Sequence, residues 1–350
     1  MTSAQASAAL AAGATKPDDE PPWLEVRGLR KVFTTGRDSV LGGARRYVQA
    51  LDGVSFTLAA GEVLALVGES GCGKSTLALT LIGLEQPTAG EIHFRGDDIT
   101  RASGATLRKV RRQIQMIFQD PYESLNPLMR VAEIVAEPLR IHGLAPSAVE
   151  RAARVRQALE DAGLKPVDVF LNRYPHELSG GQRQRVVIAS ALVLEPTVLL
   201  ADEPVSMLDV SIRAEILNLL ADLRRQRGIS ILFITHDLST VASFADRIAV
   251  MYLGRIVEMG PVQAVLQAPR HPYTQALLSV VPVANPRERR ARLLLQGETP
   301  NPTNLPSGCR FHPRCPLAFE QCRHVDPALT PVGPAHEAAC LLNVQTCDRP

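Results

Sequence analysis

The stretch that decides the fold is VLALVGESGCGKST, at positions 63–76. Its first five residues are apolar, which is typical of a strand buried on both faces of a parallel sheet. The pattern GxxxxGK[ST] follows at once and leads into a segment of helical character. Glycines allow successive amide groups to turn inward onto phosphate oxygens, and the N-terminus of the following helix adds its positive dipole end. We therefore predict a phosphate site made of Gly68, Ser70, Gly71, Cys72, Gly73, Lys74, Ser75 and Thr76.

Within this loop, Lys74 is expected to reach the outer phosphates of a nucleotide, and the hydroxyl of Ser75 to bind Mg²⁺. A second motif, VLLADEP at positions 198–204, places two adjacent carboxylates after an apolar strand. Asp202 is positioned to hold Mg²⁺ through water, and Glu203 to polarise the attacking water as a general base. Two such carboxylates could also form a solvated turn, but the upstream loop favours the catalytic interpretation.

The third motif is LSGGQRQR at positions 178–185. Ser179 and the two glycines after it begin a helix and offer a hydroxyl and bare amides to a phosphate, although an ordinary helix cap has the same composition. With this motif between the other two, the chain resembles the ABC ATPases, whose signature is LSGGQ. The resemblance implies that Ser179, Gly180, Gly181 and Gln182 bind the ATP held by the phosphate loop of a partner subunit.

The same resemblance assigns four further positions. Gln119, in MIFQDP, matches the glutamine that contacts Mg²⁺ and connects to the membrane partner, and residues 206–209 match the D-loop, with Met207 where alanine is more common. His236, in ITHD, matches the switch histidine at the terminal phosphate. Phe33 matches the aromatic residue that stacks on adenine. A packed histidine and a core phenylalanine are the alternative interpretations of the last two.

The bulk composition is that of a globular protein, without the strong positive charge that would attract nucleic acid. Hydrophobic residues make up 45% and charged residues 21% of the 350 residues, and the net charge is +2. No apolar run reaches the roughly 18 to 20 residues needed to cross a bilayer, so another chain is expected to supply any membrane-spanning part. The N-terminal residues lack the features of a secretory signal, which predicts a cytoplasmic protein.

Strands that alternate with helices predict an α/β, RecA-like ATPase core with a mainly parallel sheet. We expect a disordered tail over 1–22, a nucleotide-binding domain over 23–285 with a helical subdomain at about 116–194, and a small Cys-rich module over 286–350. Strands are predicted over 23–32, 50–67, 198–201, 230–235 and 247–251. Helices are predicted over 75–84, 147–162 and 211–227.

Three segments narrow the family. FQDPYESLNP at 118–127, PRHPYTQALL at 269–278 and GCRFHPRCP at 308–316 resemble the ATPases of oligopeptide and dipeptide importers, and the GCGK loop is closer to their F-type subunit. This resemblance implies a heterodimer with a second ATPase, bound beneath two permease chains on the cytoplasmic face of the membrane and fed by an extracytoplasmic binding protein. Peptide is the leading substrate; nickel, another small solute, or a regulatory role without transport stay open.

Five of the six cysteines follow position 308. Disulfides are disfavoured in the cytoplasm. A Pro-rich segment with little hydrophobic core of its own therefore needs another kind of cross-link to be stable. The spacing of Cys309, Cys315, Cys322 and Cys340 lacks the paired CxxC units of structural zinc, whereas iron–sulfur clusters accept varied spacing. The peptide-importer resemblance also implies a [4Fe–4S] cluster at these four residues, with four-thiolate zinc, disulfides or free thiols as alternatives. Cys347 is expected to be a free thiol.

Cys72, beside Lys74 and loop amides, is expected to be a thiolate of lowered pKa.

Overall fold

The computed structural model describes residues 22–37, 45–280, 293, 295, 297 and 300–344. The predicted N-terminal tail up to residue 21, the predicted boundary near residue 285 and Cys347 lie outside these residues. The strands are β1 (Leu24–Arg37), β2 (Arg45–Leu58), β3 (Val63–Val67), β4 (Ala89–Phe94), β5 (Asp97–Asp98), β6 (Ile114–Ile117), β7 (Val198–Asp202), β8 (Ser230–Thr235), β9 (Arg247–Tyr252), β10 (Arg255–Pro261), β11 (Thr330–Gly333) and β12 (His336–Ala338). The helices are α1 (Lys74–Leu81), α2 (Gly104–Gln113), α3 (Pro121–Ser124), α4 (Val131–Ile141), α5 (Ala148–Asp161), α6 (Asp168–Leu171), α7 (Gly180–Leu192), α8 (Val210–Arg227), α9 (Leu238–Phe244), α10 (Val262–Gln267), α11 (Pro272–Ser279) and α12 (Leu341–Val344).

The central sheet has eight strands in the order β11-β12-β10-β9-β3-β8-β7-β6. The five strands from β9 to β6 are mutually parallel, whereas β10, β12 and β11 pair antiparallel. Every residue of β3, β7 and β8 is buried. Helices on both faces of a parallel sheet bury the whole strand, which explains the continuous apolar runs in the sequence. The α/β prediction is confirmed, and the parallel prediction holds for these five strands.

A second, four-stranded antiparallel sheet has the order β2-β1-β4-β5. The sequence analysis did not predict it as a separate layer, because it assigned the short runs of 50–67 to strands without dividing them between two sheets. A turn at residues 59–62, with Gly61 at φ +64°, divides that stretch into β2 and β3. The inner face of this sheet packs on α1 and on the central sheet, through Leu29, Leu51 and Leu77 among others. This packing places β1 and β2 beside the phosphate loop.

The helices between 121 and 192 lie in the interval predicted to be helical; their treatment as a separate subdomain stays a prediction. The helix predicted over 147–162 is α5, whose start is capped by Ser147, the side chain of which accepts a hydrogen bond from the amide of Glu150. Helix α7 packs against α4 and α5 in one apolar cluster that also covers β7. No helix among the described residues is both long and apolar enough to cross a bilayer.

The C-terminal segment contains two strands that the sequence did not predict. Strand β12 pairs with β10, with Ala338 opposite Glu258. The fully buried carboxylate of Glu258 accepts hydrogen bonds from the amides of Arg270 and His271, and lies 2.8 Å from Nε2 of His336. These contacts make the segment continuous with the central sheet.

Candidate functional site

A cavity of about 610 Å³ opens beside the loop that joins β3 to α1. It gathers most of the predicted site residues, namely Phe33, Ser70, Gly71, Cys72, Gly73, Lys74, Ser75, Thr76, Gln119, Glu203 and His236. Gly68 and Asp202 do not line it but contact residues that do, Gly68 contacting Lys74 and Asp202 contacting Ser75. The other wall residues, which no sequence motif indicated, are Val48, Gln49, Ala50, Leu253, Gly254 and Pro302.

The phosphate loop requires glycine at two positions. Gly68 and Gly73 have φ of +157° and +108°, and a Cβ on either would lie under 3.0 Å from the carbonyl oxygen of Met251 or Ala50. The loop therefore lies in close contact with β2 and with the end of β9. Its lysine, Lys74, is buried, and Nζ donates to the carbonyl oxygens of Gly68 at 2.8 Å and Glu69 at 3.0 Å. A buried ammonium group beside the open end of α1 favours a bound anion.

Cys72 lies in the loop with its Sγ 3.8 Å from Nζ of Lys74. The side chain is buried, and burial raises the pKa of the thiol above its ordinary value, although the charge of Lys74 opposes that rise. The prediction of a lowered pKa is wrong, because desolvation of the thiolate outweighs the lysine and amide dipoles.

The carboxylate of Asp202 at the end of β7 fits a bound divalent cation. It is buried, and its Oδ1 has no hydrogen-bond partner among the described residues. Burial and the neighbouring charge of Glu203 raise the pKa of Asp202, whereas the hydroxyl of Ser75 and the charge of Lys74 lower it. A buried carboxylate oxygen with no partner is costly unless a cation or water completes it, and oxygen ligands are those that Mg²⁺ prefers.

The three predicted catalytic side chains meet at Glu203. Nδ1 of His236 lies 3.1 Å from one carboxylate oxygen, and Nε2 of Gln119 donates to the other at 3.3 Å. The reason is the strand order, since Gln119, Glu203 and His236 follow the adjacent parallel strands β6, β7 and β8. Glu203 has φ +45°, and its amide donates to the carbonyl oxygen of Ile234 on β8. A non-glycine residue in this conformation is strained, as is common at functional sites.

The signature residues lie elsewhere in the chain. Ser179 caps α7: its hydroxyl accepts from the amide of Gln182 at 3.3 Å, and the side-chain oxygen of Gln182 accepts from the amide of Ser179 at 3.1 Å. Neither these two residues nor Gly180 and Gly181 line the cavity beside the phosphate loop. Within one chain the signature residues are therefore separate from the phosphate loop, and their meeting with it across a dimer stays a prediction.

The C-terminal cysteines are brought together, but without the arrangement of a metal site. Cys309, Cys315, Cys322 and Cys340 line one cavity of about 10 Å³, and all four are free thiols. In the described part of the chain, no three His, Cys, Asp or Glu residues are arranged to hold a metal ion. Burial, with smaller contributions from Cys322 and Cys340, raises the pKa of Cys309 to about 11. The cysteines therefore converge, but the cavity between them is too small for the predicted [4Fe–4S] cluster, which stays a prediction.

Two contacts of the phosphate loop were not predicted from the sequence. The hydroxyl of Tyr273 accepts from the amide of Glu69, the second residue of the phosphate loop, at 2.9 Å. The guanidinium of Arg314 donates to both carboxylate oxygens of Glu69. Both residues belong to motifs that indicated a family, PRHPYTQALL and GCRFHPRCP, but nothing in those motifs indicates a contact with the loop.

Two family models match the sequence. The model described as "ABC transporter" matches residues 51–206, and the model described as "Oligopeptide/dipeptide transporter, C-terminal region" matches residues 257–322. The oligopeptide transport ATP-binding protein AppF of Bacillus subtilis is 48% identical over 322 residues, covering 91% of this chain and 97% of AppF. The dipeptide transport ATP-binding protein DppF of Haemophilus influenzae is 48% identical over 311 residues, covering 89% and 94%.

Solved structures share the fold. The dimeric ATP-binding cassette MJ0796, in a post-hydrolysis state bound to ADP and Pi, is 31% identical with a TM-score of 0.60, covering 68% of this chain and 98% of that cassette. CbiO1 from Clostridium perfringens, described as part of the ABC transporter complex cbiONQ, is 32% identical with a TM-score of 0.60, covering 71% and 92%.

Proposed function

The chain belongs to the ABC transporter ATP-binding subunits of the oligopeptide/dipeptide importer family, and from this premise we propose that it hydrolyses MgATP to drive peptide import. The observation that carries the proposal is the single cavity that joins the phosphate loop to Gln119, Glu203 and His236. Loop amides and a lysine supply the phosphate contacts, and a carboxylate with two polar neighbours supplies the group that acts on water.

The binding half of the site is the phosphate loop together with Asp202, which contacts Ser75. Lys74 exchanges its bonds to loop carbonyls for the outer phosphates of ATP, and the loop amides bind the phosphate oxygens. Ser75, Gln119 and Asp202 would hold Mg²⁺, which neutralises phosphate charge when bound. Phe33 is at the cavity wall, with Nζ of Lys31 over one face of its ring, 4.6 Å from the centroid, and the opposite face would stack on an adenine base.

The hydrolytic half is centred on Glu203. Its carboxylate accepts a proton from the attacking water, whose oxygen forms a bond to the terminal phosphorus as the bond to ADP breaks. His236 and Gln119 hold the two carboxylate oxygens, so the group has a fixed direction before ATP binds. His236 is largely exposed in the isolated chain, which leaves its ring free to reach the terminal phosphate.

The chain is proposed to act in a complex. ABC ATPases dimerise, and the second ATPase would bring the helix start at Ser179–Gln182 onto the ATP held by this chain. We propose a different chain as that partner, giving a heterodimer on the inner face of the membrane beneath two permease subunits, with an extracytoplasmic binding protein. Closure around ATP would drive the permease through differential contacts in the two states.

Uptake measurements test the proposed function. Deletion of the gene should abolish uptake of labelled di- or oligopeptides, and the wild-type gene should restore it whereas Glu203→Gln should not. Loss of the uptake of nickel or of another solute, with peptide uptake intact, would refute the peptide assignment. Unchanged uptake of every solute, with ATP binding retained, would favour a regulatory ABC ATPase.

The four C-terminal cysteines support a second proposal, a [4Fe–4S] cluster held by Cys309, Cys315, Cys322 and Cys340. Their convergence on one cavity supports it, because one short segment supplies an all-thiolate donor set. The cavity must widen to admit a cluster. Anaerobically purified protein should be brown, with about four iron and four sulfide per chain as the cluster stoichiometry requires. One zinc and no iron would establish the alternative metal, and metal-free protein would refute both.

A further inference from the structure

A second cavity, of about 460 Å³, lies between β2, β10 and the C-terminal segment, and we call it the C-terminal cavity. It shares no lining residue with the cavity beside the phosphate loop. Met259 of β10 and Glu337 of β12 line it, whereas their neighbours Glu258 and Ala338 do not. Met259 and Glu337 are cross-strand partners, and side chains alternate between the two faces of a strand. The side chain of Glu337 therefore points into this cavity.

Positive charge exceeds negative charge where β2 and the start of β10 line the cavity. The guanidiniums of Arg30, Arg255 and Arg310 share the carboxylate of Asp52, and Arg255 also pairs with Asp326. Three cations thus face two carboxylates, and all five residues line the cavity. Arg310 is buried, and this burial together with the charge of Arg255 lowers its pKa. A further anion here would offset the repulsion between the guanidiniums.

A carboxylate lines the cavity at some distance from this cluster. Glu337 lies opposite Met259, which is four residues along β10 from Arg255. Four residues of extended strand span about 13 Å. Glu337 is half-buried, and it forms no ion pair with another residue in the part of the chain that the structure describes. Its carboxylate is therefore available to a cation.

Apolar side chains supply much of the remaining wall, among them Ile256, Val257, Phe311 and Leu329. Apolar walls with a few charged groups, at a volume of this size, are typical of small-molecule sites. A molecule with a carboxylate at one end, an ammonium group at the other and an apolar middle has the complementary chemistry. An extended tripeptide is about 10 Å long, which matches the separation once the side chains reach inward.

We propose that the C-terminal cavity binds a short zwitterionic peptide, with its carboxylate at Arg255 and Arg310 and its ammonium group at Glu337. Two or three residues fit the separation of the charges, and an apolar residue contacts the wall. This site is distinct from the cavity beside the phosphate loop, so the proposal goes beyond ATP hydrolysis.

Arg310 connects the two cavities. Its guanidinium donates to the carbonyl oxygen of Leu253 and, at 3.3 Å, to Oε1 of Gln49. Both acceptor residues line the cavity beside the phosphate loop. A peptide carboxylate that binds the guanidinium competes with these acceptors. Peptide and MgATP should therefore weaken each other's binding by the same factor, a coupling that rests on the proposed binding of ATP.

The test is calorimetric titration of the full chain with the tripeptide Ala-Leu-Ala, which should bind at a single site. N-acetylation removes the ammonium charge and C-terminal amidation removes the carboxylate. Each should weaken binding about tenfold, the change expected for loss of one charge-assisted contact. Glu337→Gln should weaken binding of the free peptide to the same degree and should no longer distinguish it from the N-acetylated form. Glu320→Gln is the matched control, because Glu320 is an exposed carboxylate of the same segment that does not line the cavity.

Absence of binding, or equal binding of the free, acetylated and amidated peptides, would overturn the proposal, and these measurements need no variant. Wild-type affinity in Glu337→Gln, or an equal loss in Glu320→Gln, would also overturn it. Saturating peptide should weaken MgATP binding about fivefold, and unchanged affinity would refute the coupling through Arg310. A chain that binds MgATP without hydrolysing it in the assembled transporter would refute the proposed function, and the peptide titration would still test the site.

Discussion

Replacement of Glu203 by glutamine tests the centre of the proposed mechanism. The side chain is 15% exposed and each carboxylate oxygen has one neighbour, Nδ1 of His236 or Nε2 of Gln119. Glutamine has the same shape, so the cavity and the loop should be unchanged. What it lacks is the basicity needed to accept a proton from water.

The expected fall in kcat is about 10²- to 10⁴-fold, the usual contribution of a general base. Each tenfold step corresponds to about 1.4 kcal/mol, so the activation free energy should rise by about 3 to 5 kcal/mol. ATP affinity should stay within about threefold, because the phosphate contacts come from the loop amides and Lys74. The free energy of unfolding should change by about 1 kcal/mol or less, since both hydrogen bonds can still form without the charge.

The assay is steady-state hydrolysis of ATP by the assembled transporter, combined with equilibrium binding of MgATP. Glu91→Gln is the control, because Glu91 is an exposed carboxylate of β4 that pairs with His93 and does not line the cavity. Hydrolysis by Glu203→Gln at more than about a tenth of the wild-type rate would remove Glu203 from the general-base role. Loss of ATP binding to the same degree as turnover would indicate a structural role instead.

Three further predictions address the loop and the buried groups. Cys72 should be alkylated slowly at pH 7 and faster as pH rises, because burial raises the pKa of its thiol, and MgATP should protect it. Labelling is followed by mass spectrometry. Rapid labelling at pH 7, or equal labelling with and without nucleotide, would contradict this. Gly73→Ala should lose nucleotide binding, because its Cβ would meet the carbonyl oxygen of Ala50 at 2.3 Å; unchanged affinity in a titration with a fluorescent ATP analogue would contradict this. Burial lowers the pKa of His271 to about 3. Below about pH 6.5 the unfolded chain therefore binds a proton at this residue that the folded chain does not. As the pH falls from about 6 to 4.5, the free energy of unfolding should decrease by roughly 1.4 kcal/mol per pH unit. His271→Asn keeps a cap acceptor for the amide of Tyr273 and should lose that part of the slope in urea unfolding at several pH values.

The phosphate loop and the family were both determined by short segments of sequence. A GxxxxGK[ST] loop after a buried strand needs only local backbone conformations, which glycines at Gly68 and Gly73 permit and other residues do not. Strand and helix identity follow from apolar spacing in the same local way, so β8 was predicted at its observed bounds. Signature motifs act similarly, because each specifies one turn or one helix start.

Only the tertiary structure decided which of these segments meet. Gln119, Glu203 and His236 converge because three parallel strands are neighbours, an order that no single segment encodes. The pKa of Cys72 depends on how deeply the loop is buried, and that burial comes from strands far away in the chain. The pairing of Arg314 with Glu69 and that of β12 with β10, which joins the C-terminal segment to the central sheet, are likewise long-range contacts. Their energies depend on groups brought together by packing, whereas sequence periodicity records only which face of each element is apolar.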